Sequence, residues 1–168
     1  MVRVQLRAVR VDFQSNTPVL LLQESEGDGR TLPIFIGTVE ATAIAYALQG
    51  VDVPRPLTHD LLVDVVHSMG AVLEKIVVND LEGSTFYAEL YLRTDEETVV
   101  VSARPSDAVA LAVRTSSPLF VADHLMDSEA VFIAVDDEDD EDDEGDEEDV
   151  VEEFREFLDQ LRPEDFEG

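Results

Sequence analysis

Sliding the 168-residue chain along itself by 67 positions lays residues 6 to 45 over residues 73 to 112 without a gap. Val9 falls on Ile76, Val11 on Val78, Asp12 on Asn79 and Thr31 on Thr98. The helix starts match best: Glu40-Ala-Thr-Ala-Ile-Ala45 lies over Asp107-Ala-Val-Ala-Leu-Ala112, an acid followed by the same small-residue spacing. A unit that stays in register through strands, turns and a helix restricts the chain to folds that place two such units side by side.

Periodicity defines the unit. Residues 2 to 8 alternate, with Val2, Val4, Leu6 and Ala8 on one face and Arg3, Gln5 and Arg7 on the other, the period of a half-buried strand. Val19 to Gln23 reads as a second strand, and the turn-forming run Ser25 to Arg30 leads into a third, Leu32 to Ile36. After Gly37 the pattern becomes helical from Glu40 through Leu48. The repeats run from about 2 to 49 and from about 70 to 116. Between them Val53-Pro-Arg-Pro-Leu57 excludes a helix, and residues 58–69 then predict one. Thr58 is its expected N-cap, Leu61, Leu62, Val65, Val66 and Met69 its apolar stripe, and Gly70 its stop. Short strands are expected at Pro118 to Ala122 and Ala130 to Val135, closing a domain over residues 1–135. The fold class is α+β: a duplicated βββα unit with an inserted amphipathic helix, followed by a disordered acidic tail.

The tail follows from charge. Of the net −28, −18 lies from Asp136 onward, where 20 acidic residues face two arginines. Residues 136–149 are too repulsive to fold alone and read as an acidic disordered linker. Val150, Val151, Phe154, Phe157, Leu158 and Leu161 then recur at helical spacing, which predicts a short amphipathic helix over 150–162. Such a tail either attracts a basic protein partner or only solubilises the chain. The absence of cysteine excludes a disulfide framework, a thiolate nucleophile and a cysteine-based zinc site, and it suits a reducing compartment. No signal-peptide pattern opens the chain and no stretch approaches the roughly 18 apolar residues of a membrane span, so the expectation is a cytoplasmic protein without membrane association.

Phosphate loops, G-x-G-x-x-G, H-E-x-x-H and G-x-S-x-G are all missing. Polar clusters interrupt the hydrophobic pattern at Glu40, Pro54-Arg-Pro56, Thr58-His-Asp60 and Arg104-Pro-Ser-Asp107. Leu32-Pro-Ile-Phe-Ile-Gly37 followed by Glu40-Ala, then Pro54-Arg-Pro-Leu-Thr-His-Asp60, Thr85-Phe-Tyr-Ala88 and Ala103-Arg-Pro-Ser-Asp-Ala108 together resemble the bifunctional nuclease family over roughly residues 1 to 135. The resemblance implies cleavage of phosphodiester bonds in DNA and RNA.

For that chemistry the candidate catalytic residues are Glu40, His59, Asp60 and Asp107. Glu40 and Asp107 are candidate ligands for a divalent metal, Mg²⁺ or Mn²⁺. Arg55 and Arg104 are candidate phosphate ligands, Thr58 and Ser106 further substrate contacts, and His59 a proton carrier. Structural alternatives stand beside each role. Acids in a first helical turn are stabilised by the helix dipole, so Glu40 and Asp107 also read as caps, and the two arginines as ion-pair locks between the repeats. Asp60, Asp64 and His67 share one helix face, which suits either a metal or solvent. Charge argues against a nucleic-acid binder, because one lysine and ten arginines form no basic cluster beyond Arg3, Arg7 and Arg10. The competing class is a non-catalytic interaction protein, and in both classes a homo-oligomer is expected.

Overall fold

The structure is a computed structural model that describes residues 1–132 except Phe13 and Asp52. The expected 136–149 linker, the 150–162 helix and the end of the 130–135 strand lie outside the described residues.

Three antiparallel strands, β1 (Val2–Asp12), β2 (Thr17–Glu24) and β3 (Thr31–Phe35), lead into α1 (Thr38–Leu48). After α2 (Thr58–Ser68), three more, β4 (Val72–Glu82), β5 (Thr85–Arg93) and β6 (Thr98–Ala103), lead into α3 (Pro105–Thr115). Thr38 and Pro105, which open α1 and α3, stand 67 positions apart. A short β7 (Leu119–Val121) and α4 (Asp123–Glu129) complete the described chain. All seven strands form one sheet in the order β3-β2-β1-β7-β4-β5-β6, so β7 joins the two halves, antiparallel to β1 and parallel to β4.

The simple alternation expected for β1 fails at a bulge. The register with β2 shifts between Leu6 and Ala8, which reverses the faces beyond it. Val2, Val4 and Leu6 pack on the main core, as do Val9 and Val11, whereas Ala8 joins Val19 and Leu21 in a separate cluster. The shift brings Val9 and Val11 onto the core face of a strand that runs on to Asp12 rather than ending near Ala8.

The main core brings Leu20, Leu22, Leu32 and Ile34 of one half together with Ile76, Val78, Ala88 and Leu90 of the other. Alanines let the helices settle close to it, Ala41 and Ala45 of α1 and Ala108, Ala110 and Ala112 of α3 being buried beside Ile44, Val109 and Leu111. In the expected strand at Ala130 to Val135, the described part holds only an isolated bridge from Val131 to Thr31. The residues before it form α4, whose Leu125 and Met126 are buried and anchor that helix.

The inserted helix departs most from expectation. Leu57 is its N-cap rather than Thr58, and the Asp60 carboxylate accepts the Leu57 N–H at 2.9 Å. Gly70 does end it, at φ +75°, with its N–H bonded to the His67 carbonyl at 3.0 Å. Yet no residue of α2 is buried: Leu61, Leu62, Val65 and Met69 of the expected stripe are exposed, while Val63 packs against the core.

Candidate functional site

The first turns of α1, α2 and α3 meet. Arg104 is the N-cap of α3, with Pro105 fixing the first helical φ and Asp107 in the first turn. Its guanidinium grips Asp107 twice, through Nε to Oδ2 at 2.7 Å and Nη2 to Oδ1 at 3.0 Å. Nη1 reaches Glu40 Oε1 of α1 at 2.8 Å. One planar fork therefore joins the helix starts of both halves. His59 of α2 completes the group, with Nε2 3.1 Å from Asp107 Oδ1.

Electrostatics sets the protonation in this cluster. Burial pushes the Asp107 carboxyl up, but the hydrogen bonds from Arg104 and His59 outweigh it and hold the group below the ordinary carboxylate range. An ionised Asp107 only accepts, so in this contact His59 Nε2 is the donor, and it is in the neutral imidazole that Nδ1 carries the lone pair. Arg104 is held protonated still more firmly than a free arginine by Asp107 and Glu40. Its carboxylate contacts use three of the five N–H groups of a guanidinium, and with the side chain 65% exposed the remaining two are open to solvent.

Glycine at position 37 is required by Glu40. Gly37 is the N-cap of α1 at an ordinary φ of −78°, but a Cβ there would lie 2.2 Å from Glu40 Oε2. The carboxylate folds back into the space a side chain would fill. Gly37→Ala is accordingly expected to change stability by less than about 1 kcal/mol, because the backbone suits alanine, while expelling Glu40 from Arg104. Thermal melts together with a structure of the variant check both halves of that statement.

Asp60 faces another way. Its carboxylate pairs with Arg114 Nε, and Arg114 also donates to the carbonyls of Ala110 at 2.9 Å and Ala43 at 3.0 Å. Arg114 thus ties α2 and α1 to α3, and its hydrogen bond to Asp60 lowers that acid's pKa, against the opposing effect of burial. Because the folded-state pKa values of Asp60 and Asp107 are depressed from 3.8, their stabilisation is present above that value and lost as pH falls through the folded values. Melting temperature is expected to fall below about pH 4 more steeply in the native chain than in an Asp60→Asn, Asp107→Asn double variant.

Of the remaining candidates, Thr58 is exposed on the wall of a cavity of about 410 Å³ that opens beside His59 and Asp107. Leu62, Val66, Leu90, Val101 and Leu111 give that cavity its apolar lining, and His67 also reaches it. Arg55 is exposed in the Pro54–Pro56 turn and takes no part in the network. Ser106 is buried at 5% exposure and does not line the cavity. Among the described residues no three His, Asp or Glu side chains gather to hold a metal. Glu40 and Asp107 share the Arg104 guanidinium, so the described donors do not fit a resident divalent cation.

Two contributors escaped the sequence reading. Gly37 had a signal, a glycine in the cap position three residues before an acid. Arg114 had one too, as the one basic residue of an otherwise largely apolar helix, seven residues from Asp107 on the same face.

Comparison with known proteins supplies the family. An uncharacterized protein of Mycobacterium tuberculosis (strain H37Rv) is 44% identical over 164 residues, spanning 98% of this chain and 97% of that protein. Bifunctional nuclease 2 of Arabidopsis thaliana is 29% identical over 137 residues, 76% of this chain and 42% of the plant protein. Bifunctional nuclease 1 of Oryza sativa subsp. japonica is 25% identical over 118 residues, covering 68% of this chain and 36% of its own. The chain therefore spans less than half of either plant protein. The model of the bifunctional nuclease domain matches residues 20–134, which hold His59, Arg104, Asp107 and Glu40, and the chain belongs to that family.

Proposed function

We propose that the chain is a nuclease that cleaves phosphodiester bonds of DNA and RNA, with His59 as general base, Asp107 as its positioning partner and Arg104 as phosphate ligand. The observation that carries this reading is the 3.1 Å contact of His59 Nε2 with Asp107 Oδ1. It leaves Nδ1 to take a proton from water or from a ribose hydroxyl. The oxygen so activated bonds to phosphorus, the bond from phosphorus to the leaving sugar oxygen breaks, and the proton held on His59 passes to that oxygen. The two free N–H groups of Arg104 meet the charge that develops on the phosphate. Glu40 holds the guanidinium in place from α1. The printed names of the plant relatives support the substrate class.

On this reading the two βββα halves are a duplication, and the site lies where their equivalent helix starts touch. The chain acts in the cytoplasm, which the lack of cysteine suits. No helix among the described residues is long and apolar enough to cross a membrane.

The test is cleavage of single-stranded DNA and RNA by the full chain in Mg²⁺, Mn²⁺ and EDTA, with Glu40→Gln, His59→Ala and Asp107→Asn purified identically. Cleavage that survives EDTA and is lost in the His59 and Asp107 variants is the expected result. Cleavage only with Mg²⁺ or Mn²⁺ would replace the base-driven route with a metal-assisted one. Equal activity in every variant, or none, would overturn the nuclease reading and leave the Arg104 network as an ion-pair lock between the halves.

A further inference from the structure

The two edges of the sheet are finished differently. At the β3 edge, Pro33 sits in the strand and Val131 closes part of the outer side, exchanging hydrogen bonds of 2.8 and 2.9 Å with Thr31. At the opposite edge β6 pairs with β5 through all six residues without a slip, and among the described residues nothing pairs with its outer side. Val99, Val100 and Val101 are 41%, 48% and 40% exposed. Charge, proline and a bulge are the usual protections of a bare edge, and β6 has none of them.

We propose that this edge is the seam of a homodimer in which β6 pairs antiparallel with β6 of a second copy. Thr98-Val-Val-Val-Ser102 has the same chemistry in both directions. With a two-fold axis at Val100, that residue meets its own copy, Val99 meets Val101 and Thr98 meets Ser102, so apolar groups face apolar groups and hydroxyls face hydroxyls. Charge selects the same place. A chain of net charge −28 repels its copy wherever carboxylates meet, and β6 presents no charged side chain. The apolar surface continues onto α2, because Leu62 of that helix and Val101 of β6 line the same cavity, and Leu61, Val65 and Met69 are exposed along α2. Pairing joins the two sheets into one and covers the edge.

Sedimentation velocity of the full chain tests it. The expected species has twice the 18.6 kDa chain mass. Val100→Glu and Val100→Lys each place two like charges opposite one another and are expected to sediment as monomers, whereas their mixture restores the dimer through a Glu–Lys pair at the axis. Hydrogen exchange on the native chain gives a readout independent of any variant's folding: amides of residues 98–103 slow on concentration and quicken on dilution. A native chain monomeric at every concentration would overturn the proposal and leave the edge to a different partner or to residues 150–162. It would equally be overturned by charge variants that stay dimeric, by a mixture that stays monomeric, or by edge amides indifferent to concentration.

Discussion

A His59→Ala chain is expected to cleave single-stranded nucleic acid about 10²–10⁴-fold more slowly than the native chain while melting within a few degrees of it. The separation follows from what His59 touches. Its side chain is 13% exposed and its polar contact is with Asp107, which keeps both bonds to Arg104 when the imidazole is removed. The structural loss is one partly buried hydrogen bond, about 1 kcal/mol. Asp107→Asn should be at least as damaging to the rate, because an amide can donate to Nε2 and reverse which ring nitrogen carries the proton. Initial rates on end-labelled oligonucleotides, with thermal melts of the same preparations, check the pair. A large loss of rate together with a collapse in melting temperature would instead make His59 a structural residue.

Arg114→Ala is expected to have the larger effect on stability, about 2–3 kcal/mol and a fall in melting temperature of roughly 10 °C. The side chain is 9% exposed and satisfies Asp60 and the carbonyls of Ala43 and Ala110. Truncation leaves those acceptors short of a donor. Asp60 keeps the Leu57 N–H and is about a third exposed, so water reaches it and the loss falls below that of a fully buried pair. Lysine should recover little, since one ammonium cannot span the three directions of the fork. Arg104→Ala, at a side chain 65% exposed, is expected to cost at most about 1 kcal/mol. Denaturant titration of the three variants orders them.

Period-2 and period-3.6 patterns made most of the strands and helices legible, because β2, β3, α1 and α3 each bury a face against the same core. The reading failed where a local rule met tertiary context. One bulge reversed the inside and outside of β1. The stripe on α2 looked like a core face but is exposed, since amphipathicity shows that a face is apolar and not what covers it. Leu125 and Met126 were too short a signal to reveal α4. In the site, Glu40, His59, Arg104 and Asp107 were legible as residue types interrupting hydrophobic runs. Their convergence depends on helix packing set by alanine-rich faces, which no motif records. Thr58 lacks the cap role expected of it, because the chain turns one residue earlier at Leu57.

The unburied state of α2 gives its two polar ties a second meaning. With no fully buried residue and only Val63 packed against the core, the helix is also tied to α3 by His59 on Asp107 and Asp60 on Arg114. Segments so lightly packed open at a fraction of the global unfolding free energy. The first fastening is the same imidazole that the proposed chemistry employs. On that chemistry, when Nδ1 of His59 takes a proton its contact with Asp107 becomes a charge-assisted pair and this latch of α2 tightens, so turnover and the closure of this helix draw on a single side chain.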